Sequence, residues 1–119
     1  MLSSAVHEQR LTALEHANKI RRVRATLKGA WKQMPEHEVS ITVATIIGDP
    51  TEYTNTWRIG ALLRSIPNWG EVAVGKRLRQ LGIGPQTAVC NLTPGQRLAL
   101  VELLAPQLLT NASHGPDQT

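Results

Sequence analysis

A chain of 119 residues has room for one small domain around a single core. Hydrophobic residues make up 41% but aromatics only 3%, with no Phe, so the core must be mostly Leu, Ile, Val and Ala, a mix that suits packed helices. Thirteen Lys and Arg against nine Asp and Glu give a net charge of +4, which fits a polyanionic partner without requiring one. The lone Cys90 excludes an internal disulfide, and no apolar run approaches the roughly 20 residues that span a bilayer. The first ten residues lack the apolar stretch of a secretory leader, so the expectation is a cytoplasmic protein.

Residues 1–7 read as a disordered N-terminus. From residue 8 to 34 the chain is rich in Ala, Leu, Arg, Lys, Glu and Gln, with no Gly before Gly29 and no Pro before Pro35. This composition predicts a long helix. Ile20, Val23, Leu27, Ala30, Trp31 and Met34 recur at three- and four-residue steps and form its apolar stripe. Residues 38–47 are rich in Val, Ile and Thr, which favours a strand. Nothing else in the chain offers a partner strand, so a short helix is expected. Gly48, Asp49 and Pro50 mark a turn. Residues 57–66 read as a helix with Ile59, Leu62, Leu63 and Ile66 on one side. Pro67, Asn68, Trp69 and Gly70 make a tight turn, and residues 71–81 form the next helix, ended by Gly82. Thr93, Pro94 and Gln96 have the spacing of an N-cap, a first helical position and a capping box, opening the last helix. The polar residues 110–119 read as a disordered tail.

Two constellations could carry function. Between Arg10 and Lys32 there are seven basic residues and one acid, Glu15. Arg21, Arg24, Lys28 and Lys32 fall on one side of the first helix at about 100° per residue, roughly opposite the apolar stripe, with Lys19 and Arg22 flanking them. Solubility alone usually mixes charge signs along a helix. Such an arginine-rich face can meet phosphates and guanine edges in the major groove of duplex DNA. The second constellation is residues 62–83, where two helices flank a hairpin of the form apolar-Pro-x-x-Gly. The start of the second helix offers unpaired amides and a positive dipole end to a phosphate oxygen. Pro67 fixes the approach angle, Gly70 permits close contact, and Lys76, Arg77 and Arg79 add charge downstream.

The order of these features resembles the actinobacterial integration host factor family. The resemblance rests on Glu8-Gln9-Arg10, Ala13-Leu14-Glu15 and the run from Arg21 through Arg22, Arg24 and Leu27 to Lys28. It continues through Arg58-Ile59, Ala61-Leu62-Leu63, Ile66-Pro67-Asn68-Trp69-Gly70, Leu81-Gly82-Ile83 and Gln96-Arg97. It implies an all-α fold with a long first helix packed on a helix-two-turns-helix domain, here residues 35–109. It also implies a monomeric, non-enzymatic nucleoid protein without cofactor. Such a protein binds duplex DNA with little sequence preference, bends or compacts it, and assists a site-specific recombinase. On these grounds the expected contacts are Arg21, Arg22, Arg24, Lys28, Lys32, Arg58, Pro67, Asn68, Trp69, Gly70, Lys76, Arg79 and Thr93. This chain departs from the family at Asn68, where the hairpin's first Gly is expected. It also departs at Glu71 and Ala73, where lysines are expected, and at Thr87, Ala88 and Cys90, where arginines are expected. Asn tolerates a left-handed conformation, so the turn itself can be retained.

The remaining signals are bland. His7, His16, His37 and His114 have no metal-ligand spacing with cysteine or carboxylates. Trp31, Trp57 and Trp69 read as core or hairpin packing and not as a base-stacking platform. Cys90 reads as a structural thiol with no base beside it. The acids after Gly70 (Glu71, Glu102 and Asp117) have no context for strand or base chemistry. Alternatives to duplex DNA are an RNA- or ribosome-associated module and a helical protein-interaction module with a merely solvated basic face.

Overall fold

The computed structural model describes residues 2–108, with side chains from residue 8 onward, so the expected tail at 110–119 lies outside the described residues. The described part is all-α: α1 (Leu2–Trp31), α2 (Glu36–Gly48), α3 (Ile59–Arg64), α4 (Glu71–Gln80) and α5 (Pro94–Leu104), with a 3-10 turn at Val89–Asn91. Helix α1 starts at Leu2 and not at residue 8. Leu2, Ala5 and Val6 recur at three- and four-residue steps and neither Gly nor Pro interrupts residues 2–7, so the helix propagates through.

The Val- and Ile-rich α2 is helical because its burial follows a four-residue period. Val39, Val43 and Ile47 are fully buried, with Ser40 and Ala44 beside them. The hydroxyls of Thr42 and Thr45 donate to the carbonyls of Glu38 and Ile41, each at 2.9 Å, so these β-formers satisfy themselves on the helix. Glu36 and Glu38 stand in the first turn, where the dipole favours an anion. Helix α2 packs against α5, and α3 against α4. Arg97 of α5 donates to the Ile47 carbonyl near the C-terminal end of α2 and to the Val89 carbonyl at 3.0 Å, tying three elements together.

Helix α3 is shorter than the sequence pattern suggests, because Arg58 is extended and the segment from Asn55 to Gly60 pairs with residues 85–90. The amides of Cys90 and Val89 donate to the carbonyls of Asn55 and Trp57, and those of Ile59 and Gly60 to Thr87 and Pro85. An isolated antiparallel bridge joins Arg58 and Ala88 in the middle of this ribbon. Tertiary pairing thus claims the residues that local propensity would leave to the helix. Cys90 has its side chain exposed, so it does not pack in the core as a structural thiol would. Helix α5 opens with the expected capping box: Thr93 Oγ1 accepts from the Gln96 amide at 3.1 Å, and the Thr93 amide donates to Gln96 Oε1 at 3.0 Å.

Candidate nucleic-acid interface

Among its described side chains, helix α1 is docked by its C-terminal half. Residues 8–16 are exposed, whereas Ile20, Val23 and Leu27 are half-buried and Trp31 is buried. The anchor is Trp31 stacked on Trp57, with ring centroids 5.8 Å apart and an interplanar angle of 13°. Such a pair contributes about 0.5–1.5 kcal/mol beyond its area burial. Both rings are in the core, as the sequence pattern suggested.

The basic side of α1 does not oppose the apolar stripe. Arg24 precedes Trp31 by seven residues, which places it only about 20° away around the helix. It therefore reaches the body of the protein. Its Nε donates to the Tyr53 carbonyl at 2.8 Å, its Nη2 to Thr56 Oγ1 at 2.6 Å, and its guanidinium lies 5.3 Å from the Trp57 ring centroid. Burial pulls the Arg24 pKa below its ordinary value. The expected exposed contact is thus a half-buried strut for the 51–57 loop. Lys28 Nζ lies 5.7 Å from the same ring, and Lys19 Nζ lies 5.4 Å from the Tyr53 ring. The Tyr53 side chain, by hydrogen bonding and then by charge, raises the Lys19 pKa. Arg21 and Arg22 remain exposed, Arg21 bonding only Asn18 one turn back at 3.1 Å.

The hairpin faces the end of α1. Its turn is closed by the Trp69 amide on the Ile66 carbonyl at 3.1 Å. Asn68 takes the left-handed conformation with φ 70°, as its place in the turn requires. Gly70 is the N-cap of α4 with φ −75°, so it supplies openness and not a special dihedral. It offers no side-chain cap, which leaves first-turn amides of α4 for solvent or a ligand. Trp69 is half-buried, with the Arg77 guanidinium 5.3 Å from its ring centroid.

Between the two elements runs an open groove of about 800 Å³, lined by Lys28, Lys32, Ala61, Arg64 and the stretch from Ser65 through Pro67, Asn68 and Trp69 to Gly70. Two lysines of the α1 face and the whole hairpin thus share one surface. Arg58 lies outside it, in a neighbouring cleft, and donates to the Gln86 carbonyl at 2.8 Å. Lys76 and Arg79 are exposed on α4, and Thr93 is occupied as the cap of α5; none of these three lines the groove. Arg64 was not anticipated. Its signal was present, since Leu62, Leu63 and Ile66 point inward and leave the residue three before Pro67 facing out beside the turn. Among the described residues, no three of His, Cys, Asp and Glu lie together as a metal site, and no helix is long and apolar enough to cross a membrane.

No protein-family model matches the chain. It is similar to the integration host factor of Mycobacterium tuberculosis (strain ATCC 25618 / H37Rv). The two are 32% identical over 101 residues, which cover 85% of this chain and 93% of that protein. The integration host factor of Mycolicibacterium smegmatis (strain ATCC 700084 / mc(2)155) is 31% identical over the same shares. Among solved structures, the fold is similar to that of sIHF bound to an 8 bp palindromic DNA. The TM-score is 0.57 at 27% identity, covering 76% of this chain and 99% of that one. With its all-helical architecture and its sequence shared over most of its length, the chain belongs to the integration host factor family of these mycobacterial proteins.

Proposed function

We propose that this protein binds duplex DNA without chemistry of its own, as a nucleoid-associated factor with little sequence preference. The observation that carries the reading is the groove in which Lys28 and Lys32 face the uncapped hairpin. A duplex backbone laid along it meets ammonium groups on one wall and free amides with a positive helix end on the other. Both are contacts to phosphate, which position a protein on DNA without reading sequence. Exposed Arg21 and Arg22 extend the charge along α1. Lys76, Arg79, Arg58 and Thr93 are reserve contacts outside the groove, and Arg24 contributes by holding α1 in place. The solved sIHF chain, bound to DNA, supports this reading. Engagement of one duplex by two separate elements, the α1 face and the hairpin, would repay the cost of bending or compacting it. The mycobacterial relatives are named for integration, and assistance to a site-specific recombinase fits such a bend. A monomer acting in the cytoplasmic nucleoid completes the proposal.

The test is a salt titration of duplex binding. With about four to eight phosphate contacts, log K should fall against log salt with a slope of roughly −4 to −7. A Lys28→Gln, Lys32→Gln double variant should flatten the slope by about two. A flat response in the parent protein would remove the DNA reading. Stronger binding to structured RNA in competition would favour an RNA-associated module instead.

A further inference from the structure

Arg64 borders both the hairpin groove and the adjoining cleft of about 270 Å³ that also holds Arg58, Glu71 and Gln86. Its Nη1 stands 3.8 Å from Glu71 Oε1. That separation is an ion pair but too long for a hydrogen bond, and both side chains are open to solvent, at 47% and 85% exposure. Such a pair is readily exchanged. Glu71 is also the first residue of α4, where the helix dipole and the capless amides favour an anion. Its carboxylate therefore stands beside the two groups, a guanidinium and a helix N-terminus, that a phosphate would use.

Resting on the duplex-binding reading above, we infer that Arg64 is a further phosphate-binding residue of this groove, held in check by Glu71 until a duplex phosphate takes the carboxylate's place. The free groove carries Lys28, Lys32 and Arg64 with one acid at its edge, so part of its charge is neutralised internally. On engagement Arg64 turns to phosphate, and the released Glu71 carboxylate takes up a counter-cation. That uptake cancels part of the ion release that normally drives binding. Glu71 thus sets the affinity of the hairpin and not its fold, and it gives this chain a weaker, more exchangeable grip than a basic residue there would.

The experiment measures binding of a short mixed-sequence duplex by fluorescence anisotropy over a range of salt. It uses the full chain and its Glu71→Gln, Arg64→Gln and double variants, with Glu102→Gln as a control for net charge. Glu71→Gln should tighten binding about three- to tenfold, beyond the control, and steepen the salt slope by up to about one. Arg64→Gln should weaken binding, and in that background the Glu71→Gln gain should shrink to the level of the control. Thermal melting should separate the variants little, since the pair is exposed. A Glu71→Gln gain no larger than that of Glu102→Gln, or one that persists in full without Arg64, overturns the inference while leaving duplex binding intact. A parent chain without salt-dependent duplex binding overturns both.

Discussion

Replacing Arg24 by Ala separates the structural from the binding role of the first helix. The change removes two charge-assisted hydrogen bonds, to the Tyr53 carbonyl and Thr56 Oγ1, and the guanidinium over Trp57. Bonds to charged groups contribute about 1.5–3 kcal/mol each when buried, but Arg24 is half-buried and water can replace it, so about 1 kcal/mol each is the better figure. The ring contact adds about 0.5 kcal/mol at such a site. The expected loss is about 2.5 kcal/mol, or a fall in Tm of roughly 10 °C for a domain of this size. Arg21→Ala is the matched control, because Arg21 bonds only Asn18 on its own helix, and it should move stability by less than about 0.5 kcal/mol. Thermal melting by circular dichroism, beside a duplex-binding assay, reads both quantities. Arg24→Ala should lower Tm, whereas Arg21→Ala should weaken binding at unchanged Tm. Equal melting temperatures for the two variants would refute the strut assignment.

Substitutions at three further positions probe the hairpin and the ribbon beside it. Gly70→Val should leave Tm within a degree or two but weaken duplex binding several-fold in anisotropy titrations, because φ there is ordinary and an added Cβ meets nothing within 4 Å, while the branched side chain crowds an approaching phosphate. Asn68→Ala should cost about 1 kcal/mol in denaturant unfolding, since φ of 70° suits Ala poorly, and Asn68→Gly should be neutral or slightly stabilising. Gly60→Ala should lose about 1–3 kcal/mol in the same measurement, as its Cβ would fall 2.9 Å from Pro85 Cβ and 3.0 Å from the Pro85 carbonyl oxygen, against backbone that is itself paired.

The amino-acid sequence by itself determined what depends on neighbours along the chain. The three- and four-residue spacing around Leu27 and Trp31, the Thr93–Gln96 capping box, and the Pro-x-x-Gly hairpin with Asn at a left-handed position are all local rules, and each was legible. Even the ambiguous Val- and Ile-rich stretch of α2 resolved as a helix, because a strand would have needed a partner. What only the tertiary structure decided was which charges are spent. A helical wheel shows that Arg24 and Lys28 share a side. It does not show that Trp57 and the 51–57 loop come to meet that side and consume Arg24. Nor could local pattern shorten α3, since the ribbon joining residues 55–60 to 85–90 depends on contacts some thirty residues apart. The outward position of Arg64 was legible from its inward-facing neighbours, but that it shares a groove with Lys28 and Lys32, more than thirty residues away, was not. Charge is written in the sequence, but whether a cation meets solvent, a ring or a carboxylate is set by what the fold brings within a few ångströms of it.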